Sequence, residues 1–214
     1  METRLKNNVF QSRDLCLRAL DTNSLCAKNV RRKGQKMELK EKYIPRILLV
    51  FVIGGIFGFI YEEIFYRIDL GYFVKRGTTY GPWIPIYGFG AVAILLLTRK
   101  YRSSPLKVFF LSQLITGTLE LLTGIILHRR FGVRLWDYNV EIWNWLNIGG
   151  YVCLRSVLFF GVSGLLLSYV VYPLLYYVTE PMEEKKVIAL AALPSTLFIL
   201  DILVNLIKVI RFGY

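Results

Sequence analysis

The sequence predicts an all-α fold: a polytopic bundle of about five transmembrane helices, with the N-terminus inside and the C-terminus outside. Three observations predict it. Hydrophobic residues make up 55% of the 214-residue chain, and its mean hydropathy is +0.45. These residues fall in long runs: 47–60, 108–119, 156–178 and 187–200 carry no charged side chain. A helix crosses about 30 Å of hydrocarbon with about 20 mostly apolar residues, and soluble cores do not use runs of this kind. Lysine and arginine, finally, are unevenly shared between the connections, as membrane orientation requires.

The elements follow in order. Residues 1–36 hold 9 basic and 3 acidic residues, with no helical stripe and no secretory apolar region. Two readings stay open for them: a disordered basic cytoplasmic tail, or a start-site artefact with translation opening at Met37. Residues 37–214 form the membrane bundle. Helices are expected near 44–66, 84–98, 106–128, 148–176 and 187–210. The second is the shortest, and a re-entrant segment is its alternative. On the inner side, segments 1–46, 99–107 and 173–186 hold 18 Lys and Arg residues. The outer segments 67–83, 129–146 and 207–214 hold 8. The excess also accounts for the net charge of +12 without nucleic acid, since no nucleic-acid motif accompanies the basic tail. The partner implied is the bilayer, and the place a multi-pass position in the cell membrane. Cys16, Cys26 and Cys153 form no CxxC or Cys/His cluster, so no disulfide framework or metal site is indicated.

Ionisable residues inside the spans mark candidate sites, because each costs about 2.5–3.5 kcal/mol at helix centre on insertion scales. They are Glu62, Glu63, Glu120, Arg155 and Asp201. At 1.5 Å per residue all fall in the outer half, with Arg155 about 12 Å below the outer end of a helix opening at Asn147. Gln113, Thr116, Gly117, Glu120, Thr123 and Gly124 share one face of the third helix. Gly54, Gly58 and Glu62 align on the first, and Gly54–Gly58 is a GxxxG that lets another helix approach. Asp201, Asn205 and Lys208 share a face of the last. Snorkelling to the interface is the alternative for Glu63 and Arg155, interfacial anchoring for Lys208, and an ion pair with Arg155 for Glu120. The substrate- or ion-binding candidates are Glu62, Glu120, Arg155 and Asp201. An excess of carboxylates over one arginine favours protons, a cationic substrate, or carboxylates kept neutral.

Enzyme signals are few. Glu62 to Arg67 spells EEIFYR, which matches the EExxxR element of membrane-embedded CAAX-type proteases. Those proteins also need two histidine motifs, and this chain has one histidine, His128, best read with Arg129 and Arg130 as an interfacial basic cluster. Neither GxxxxGK[ST] nor GxSxG occurs. No catalytic residue, metal or cofactor is therefore expected, and any use of ATP requires a separate subunit.

Residues 81–90, GPWIPIYGFG, hold two prolines and three glycines between apolar runs. Proline removes a helical donor, and irregular backbone survives in hydrocarbon only when buried in protein or beside a wet cavity. The segment is expected to pack on the other helices at the outer face. Trp83, Trp136, Trp143 and Trp145 would form an interfacial belt, and RLWDYNVEIWNWLNIGG a surface-lying aromatic flap.

Four stretches, FGFIYEEIFYRI, RGTTYGPWIPIYGFGA, LELLTGIILHRRFGVRLWDY and NIGGYVCLRSVLFFG, resemble the "putative ABC-transporter type IV" permease family of CmpB-like bacterial membrane proteins. The resemblance spans residues 58–173. It is carried by Glu62, Gly81, Pro82, Trp83, Pro85, Tyr87, Gly88, Glu120, Thr123, Gly124, Trp136, Asp137, Tyr138 and Cys153. It implies an integral protein of the bacterial envelope, permease-like, as one subunit of a transporter with a separate ATPase or a second copy. An envelope interaction or regulatory protein without a transport cycle is the alternative, and an intramembrane enzyme a third.

The topology is directly testable. A reporter fused after Tyr214 is expected outside the cytoplasm and one within 99–107 inside it. Both termini on the same side would overturn the count of five crossings.

Overall fold

The computed structural model describes residues 43–212, with side chains through residue 208. The expected tail, 1–36, with Cys16 and Cys26, lies outside the described residues. The described chain is helical: α1 Tyr43–Leu70, α2 Pro85–Leu97, α3 Pro105–Phe131, α4 Leu154–Thr179 and α5 Glu184–Phe212. Four are long and apolar enough to cross a membrane. The exception is α2, whose 13 residues reach only about 20 Å.

Sequence explains most of the boundaries. Pro85 and Pro105 open α2 and α3, where a missing N–H costs nothing. Gly132, at φ 69°, closes α3 by donating its N–H to His128 O at 3.0 Å. Within α4, Leu167–Val171 winds as one π-helical turn directly before Pro173, which has no N–H for the ladder.

The fourth helix opens at Leu154, not 148. Gly149 and Gly150 take φ of 61° and 81°, and Ile148 bridges to Val152. The chain thus turns back on itself before Cys153 caps the helix. Arg155 consequently stands in the first turn of α4 instead of a third of the way into it.

Amphipathicity in α3 runs opposite to that of a soluble helix. Ser112, Thr116, Glu120 and Gly124, spaced by four, are buried. Phe110, Leu114, Leu122 and Ile126 are the exposed residues, which suits hydrocarbon outside and polar contacts within. In α1 the expected close approach is present. A Cβ at Gly54 would lie 2.6 Å from Ala91 Cβ, and one at Gly58 2.1 Å from Tyr87 Cγ, so α2 lies against this stripe. On the neighbouring face a Cβ at Gly55 would meet Phe198 of α5 at 2.4 Å. Val50 packs with Ile94, Leu95, Leu167 and Tyr172, tying α1 to α2 and α4. At the far end Arg46, only 3% exposed, donates to Thr179 Oγ1 at 2.9 Å, pairs with Glu180 at 2.5 Å and stacks over Tyr176.

The connection from α1 to α2 is not an outer loop. Ile84 N–H donates to Gly55 O at 3.0 Å, and Gly55 lies 15 residues before the end of α1. The chain therefore descends about 22 Å alongside α1 before α2 begins. Trp83 goes down with it and stacks on Phe198, centroids 4.9 Å apart. Trp83, expected in the interfacial belt, donates its indole N–H to Asp201 at 2.9 Å.

Substitution separates tight glycines from loose ones. Gly58→Ala should lower stability by about 1–3 kcal/mol, since Tyr87 cannot clear the new methyl without backbone movement. Gly117→Ala, whose Cβ would sit 3.4 Å from Val157 Cγ2, should be near neutral. Thermal unfolding in detergent reads both, and equal effects would contradict the packing described.

Candidate functional site

Five elements, α1 to α4 and the 132–153 connection, converge on one buried chamber of about 30 Å3, room for roughly one water. Its charged lining is Glu62 from α1, Glu120 from α3, Glu141 from the 132–153 connection and Arg155 from α4. A second arginine, Arg76 of the α1–α2 connection, holds the Glu62 wall from outside the lining. Arg76 Nε pairs with Glu62 Oε2 at 3.1 Å and its guanidinium lies 3.6 Å from the Tyr66 ring centroid. The Arg76 backbone N–H donates to Glu63 at 3.0 Å, so both glutamates of EEIFYR hold this loop.

Arg155 pairs with Glu141 at 2.6 Å and lies 3.9 Å over Phe65. Glu141 also accepts the Tyr66 hydroxyl. Arg155 Nε and Nη1 are buried without a protein partner.

Glu120 is the odd member. It is 5% exposed and accepts the Tyr138 hydroxyl at 2.5 Å and the Ser156 hydroxyl at 2.9 Å. Among the described residues no cation pairs with it. Burial, and then the charge of Glu120, push the Tyr138 phenol well above its ordinary value, which keeps it a donor. Three carboxylates thus meet two guanidiniums, and Glu120 is left on hydroxyls alone.

The 132–153 connection lids this chamber. It was expected to lie on the surface; instead it is two-faced. Trp143 and Trp145 are exposed, while Tyr138 and Glu141 are buried. Its start is fixed by Asp137. Burial draws the Asp137 carboxyl upward, but hydrogen bonds from Asn139 and the Arg134 guanidinium outweigh it and hold the group below its usual range. A carboxyl lowered in this way stabilises the fold above its unfolded pKa. That contribution is lost as pH falls through the folded value. Trp136 donates its indole N–H to Tyr151 O at 2.9 Å, and His128 Nδ1 lies 2.6 Å from the Tyr151 hydroxyl. His128 is thereby tied to the lid instead of standing only as part of a basic anchor.

The four candidate residues are therefore not one constellation. Glu62, Glu120 and Arg155 line the chamber, and Asp201 does not. Asp201 accepts from Tyr80 N at 3.0 Å, Gly81 N at 2.8 Å, Trp83 Nε1 at 2.9 Å and Asn205 Nδ2 at 2.8 Å. Its lone pairs are occupied by the descending segment. Lys208, on the same face, lies over the Tyr80 ring at 4.3 Å. The alternative of an ion pair between Glu120 and Arg155 is not what forms: Arg155 pairs with Glu141, because the lid inserts a closer carboxylate. Of the GPW motif, Pro85, Tyr87 and Gly88 serve α2: a Cβ at Gly88 would meet Phe51 O at 2.8 Å. Gly81 folds against its own Trp83 ring, next to Pro82. Glu141 and Arg76 were missed from sequence. The available signal was a second acid, beside Asp137, among the aromatics of the lid, and an arginine in the segment that follows the two glutamates' helix. Among the described residues no cluster of His, Cys, Asp and Glu could hold a metal ion.

A family model described as "Putative ABC-transporter type IV" matches residues 49–206. The chain belongs to that family. The match covers the whole lining of the chamber as well as Asp201, and with the four long apolar helices it makes this a multi-pass membrane protein. No match is found among curated proteins or among solved structures.

A double-mutant comparison tests the pairing. Arg155→Gln leaves the buried Glu141 uncompensated and should cost about 3–5 kcal/mol, and adding Glu141→Gln should recover much of it. Combining Arg155→Gln with Glu120→Gln should recover far less. Equal recovery from both partners, read by unfolding in detergent, would contradict the assignment.

Proposed function

We propose that the chain is a permease-type membrane subunit whose chamber takes up a proton or small monovalent cation at Glu120. One observation carries this reading. Glu120 is a deeply buried carboxylate bound by two hydroxyls and, among the described residues, by no cation, in a chamber where the other two carboxylates each hold an arginine. Isolated buried charge is costly, so a carboxylate in this setting favours the arrival of positive charge. The chamber's size restricts the guest: about 30 Å3 admits a proton-bearing water or a small ion and excludes an organic cargo. Arg155, whose Nε and Nη1 have no protein partner, would orient that water.

Membership of a transporter family supports a transport role rather than catalysis. Among the described residues the connections at the end opposite the chamber, 98–104 and 180–183, are short. They offer an ATPase little surface on one copy, so this reading includes a second copy or a partner permease. Placement in the cell membrane with the chamber in its outer half belongs to the same proposal.

The test compares wild type with Glu120→Gln. Detergent-purified protein is melted in sodium, ammonium or choline chloride at equal ionic strength, and in mildly acidic against neutral buffer. Wild type should be stabilised by acid or by one of the small cations relative to choline, and Glu120→Gln should lose that response selectively. Identical responses of the two proteins would contradict the role of Glu120. Purification from native membranes with a co-eluting ATPase would favour the transporter reading over an envelope protein without a transport cycle.

A further inference from the structure

Beside the chamber lies a separate cleft of about 490 Å3 between α2, α3 and the α1–α2 connection. We infer that it is a binding site for an anionic phospholipid, with the phosphate at Lys75 and Arg134 and the chains along Phe89 and Leu119. This site goes beyond the chamber and does not depend on what Glu120 binds.

Size is the first argument. The volume falls within the range of about 300–1,000 Å3 typical of ligand sites, and an inorganic phosphate would leave most of it unfilled. Shape is the second. Along α3 the wall runs from Leu127 to Leu119, about 12 Å of helix. Phe89, 54% exposed on α2, forms the opposite edge, so the apolar part faces hydrocarbon and a chain can enter from the side. Charge is the third. Lys75, Arg76 and Arg134 line the cleft against a single carboxylate, Glu62. Glu62 is already paired with Arg76, and Arg134 is held by Asp137 at 3.0 Å outside the lining. Among the described residues no carboxylate pairs with Lys75, which lies 5.7 Å over the Tyr80 ring. The polar rim is therefore cationic and the walls apolar, the two chemistries that an anionic amphiphile joins. Attraction of an anionic headgroup is worth roughly 1 kcal/mol per basic residue near the surface.

Native mass spectrometry of the full chain, after controlled delipidation, reads the retained lipid. Wild type should keep phosphatidylglycerol in preference to phosphatidylcholine. Lys75→Gln should lower phosphatidylglycerol retention about fivefold, from its share of headgroup attraction. Thr123→Trp, which fills the cleft without changing charge, should abolish it. Decyl phosphate should displace the retained lipid and inorganic phosphate should not. The inference is overturned if both lipids are retained alike, if Lys75→Gln keeps phosphatidylglycerol as wild type does, or if inorganic phosphate competes as well as decyl phosphate, which would make the site one for a free anion.

Discussion

Non-helical backbone inside an apolar layer must find every hydrogen bond within the protein, and here one carboxylate supplies the decisive ones. Asp201 on α5 receives the Tyr80 and Gly81 amides and the Trp83 indole. Beyond them, Thr79 Oγ1 donates to Trp83 O, and Ile84 N–H reaches Gly55 O. Amides and a carbonyl that the irregular backbone leaves without helical partners are thereby paired. With this segment fixed low beside α1, α2 can be short, and Tyr87 can sit over Gly58. Arg76 is delivered to Glu62 by the same descent. The chamber depends on that placement: move the segment outward and its Glu62 wall loses its cation.

Charge balance gives the chamber its character. Burying an ion pair is seldom a net gain in stability, whereas removing one partner is severe. Glu62–Arg76 and Glu141–Arg155 are each backed by an aromatic ring beneath the guanidinium, Tyr66 and Phe65 respectively. Tyr66 also bridges the two pairs through its hydroxyl on Glu141. Glu120 stands outside this balanced set. Its contacts, Tyr138 and Ser156, are neutral donors drawn from the lid and from the first turn of α4. The lid therefore both completes a pair and caps the unpaired acid, so opening it would expose Glu120 and uncover Arg155 together.

Much of this was legible in the sequence because it is local or periodic. The five helices follow from uncharged runs and proline positions. The Thr116–Glu120–Gly124 face follows from spacing, and the approach at Gly54 and Gly58 from a small-residue pair. What was not legible depends on long-range docking. Depth and a face shared with Asn205 and Lys208 single out Asp201 in the sequence, and only the fold shows that Gly81 and Trp83, more than a hundred positions earlier, donate to it. The stacking partner of Trp83, Phe198, is equally distant in sequence. Arg155 was placed too deep because Gly149 and Gly150 were read as the start of a helix when they form a turn. Glu141 was hidden by the aromatic character of its neighbours.

Amide hydrogen exchange of the protein in lipid nanodiscs tests the clamp on the descending segment most directly. In wild type, the amides of residues 80–84 should be protected to the level of the adjoining helices. In Asp201→Asn they should exchange much faster while α3 and the body of α4 stay protected. Rapid exchange of residues 80–84 in wild type, or unchanged protection in Asp201→Asn, would contradict the account.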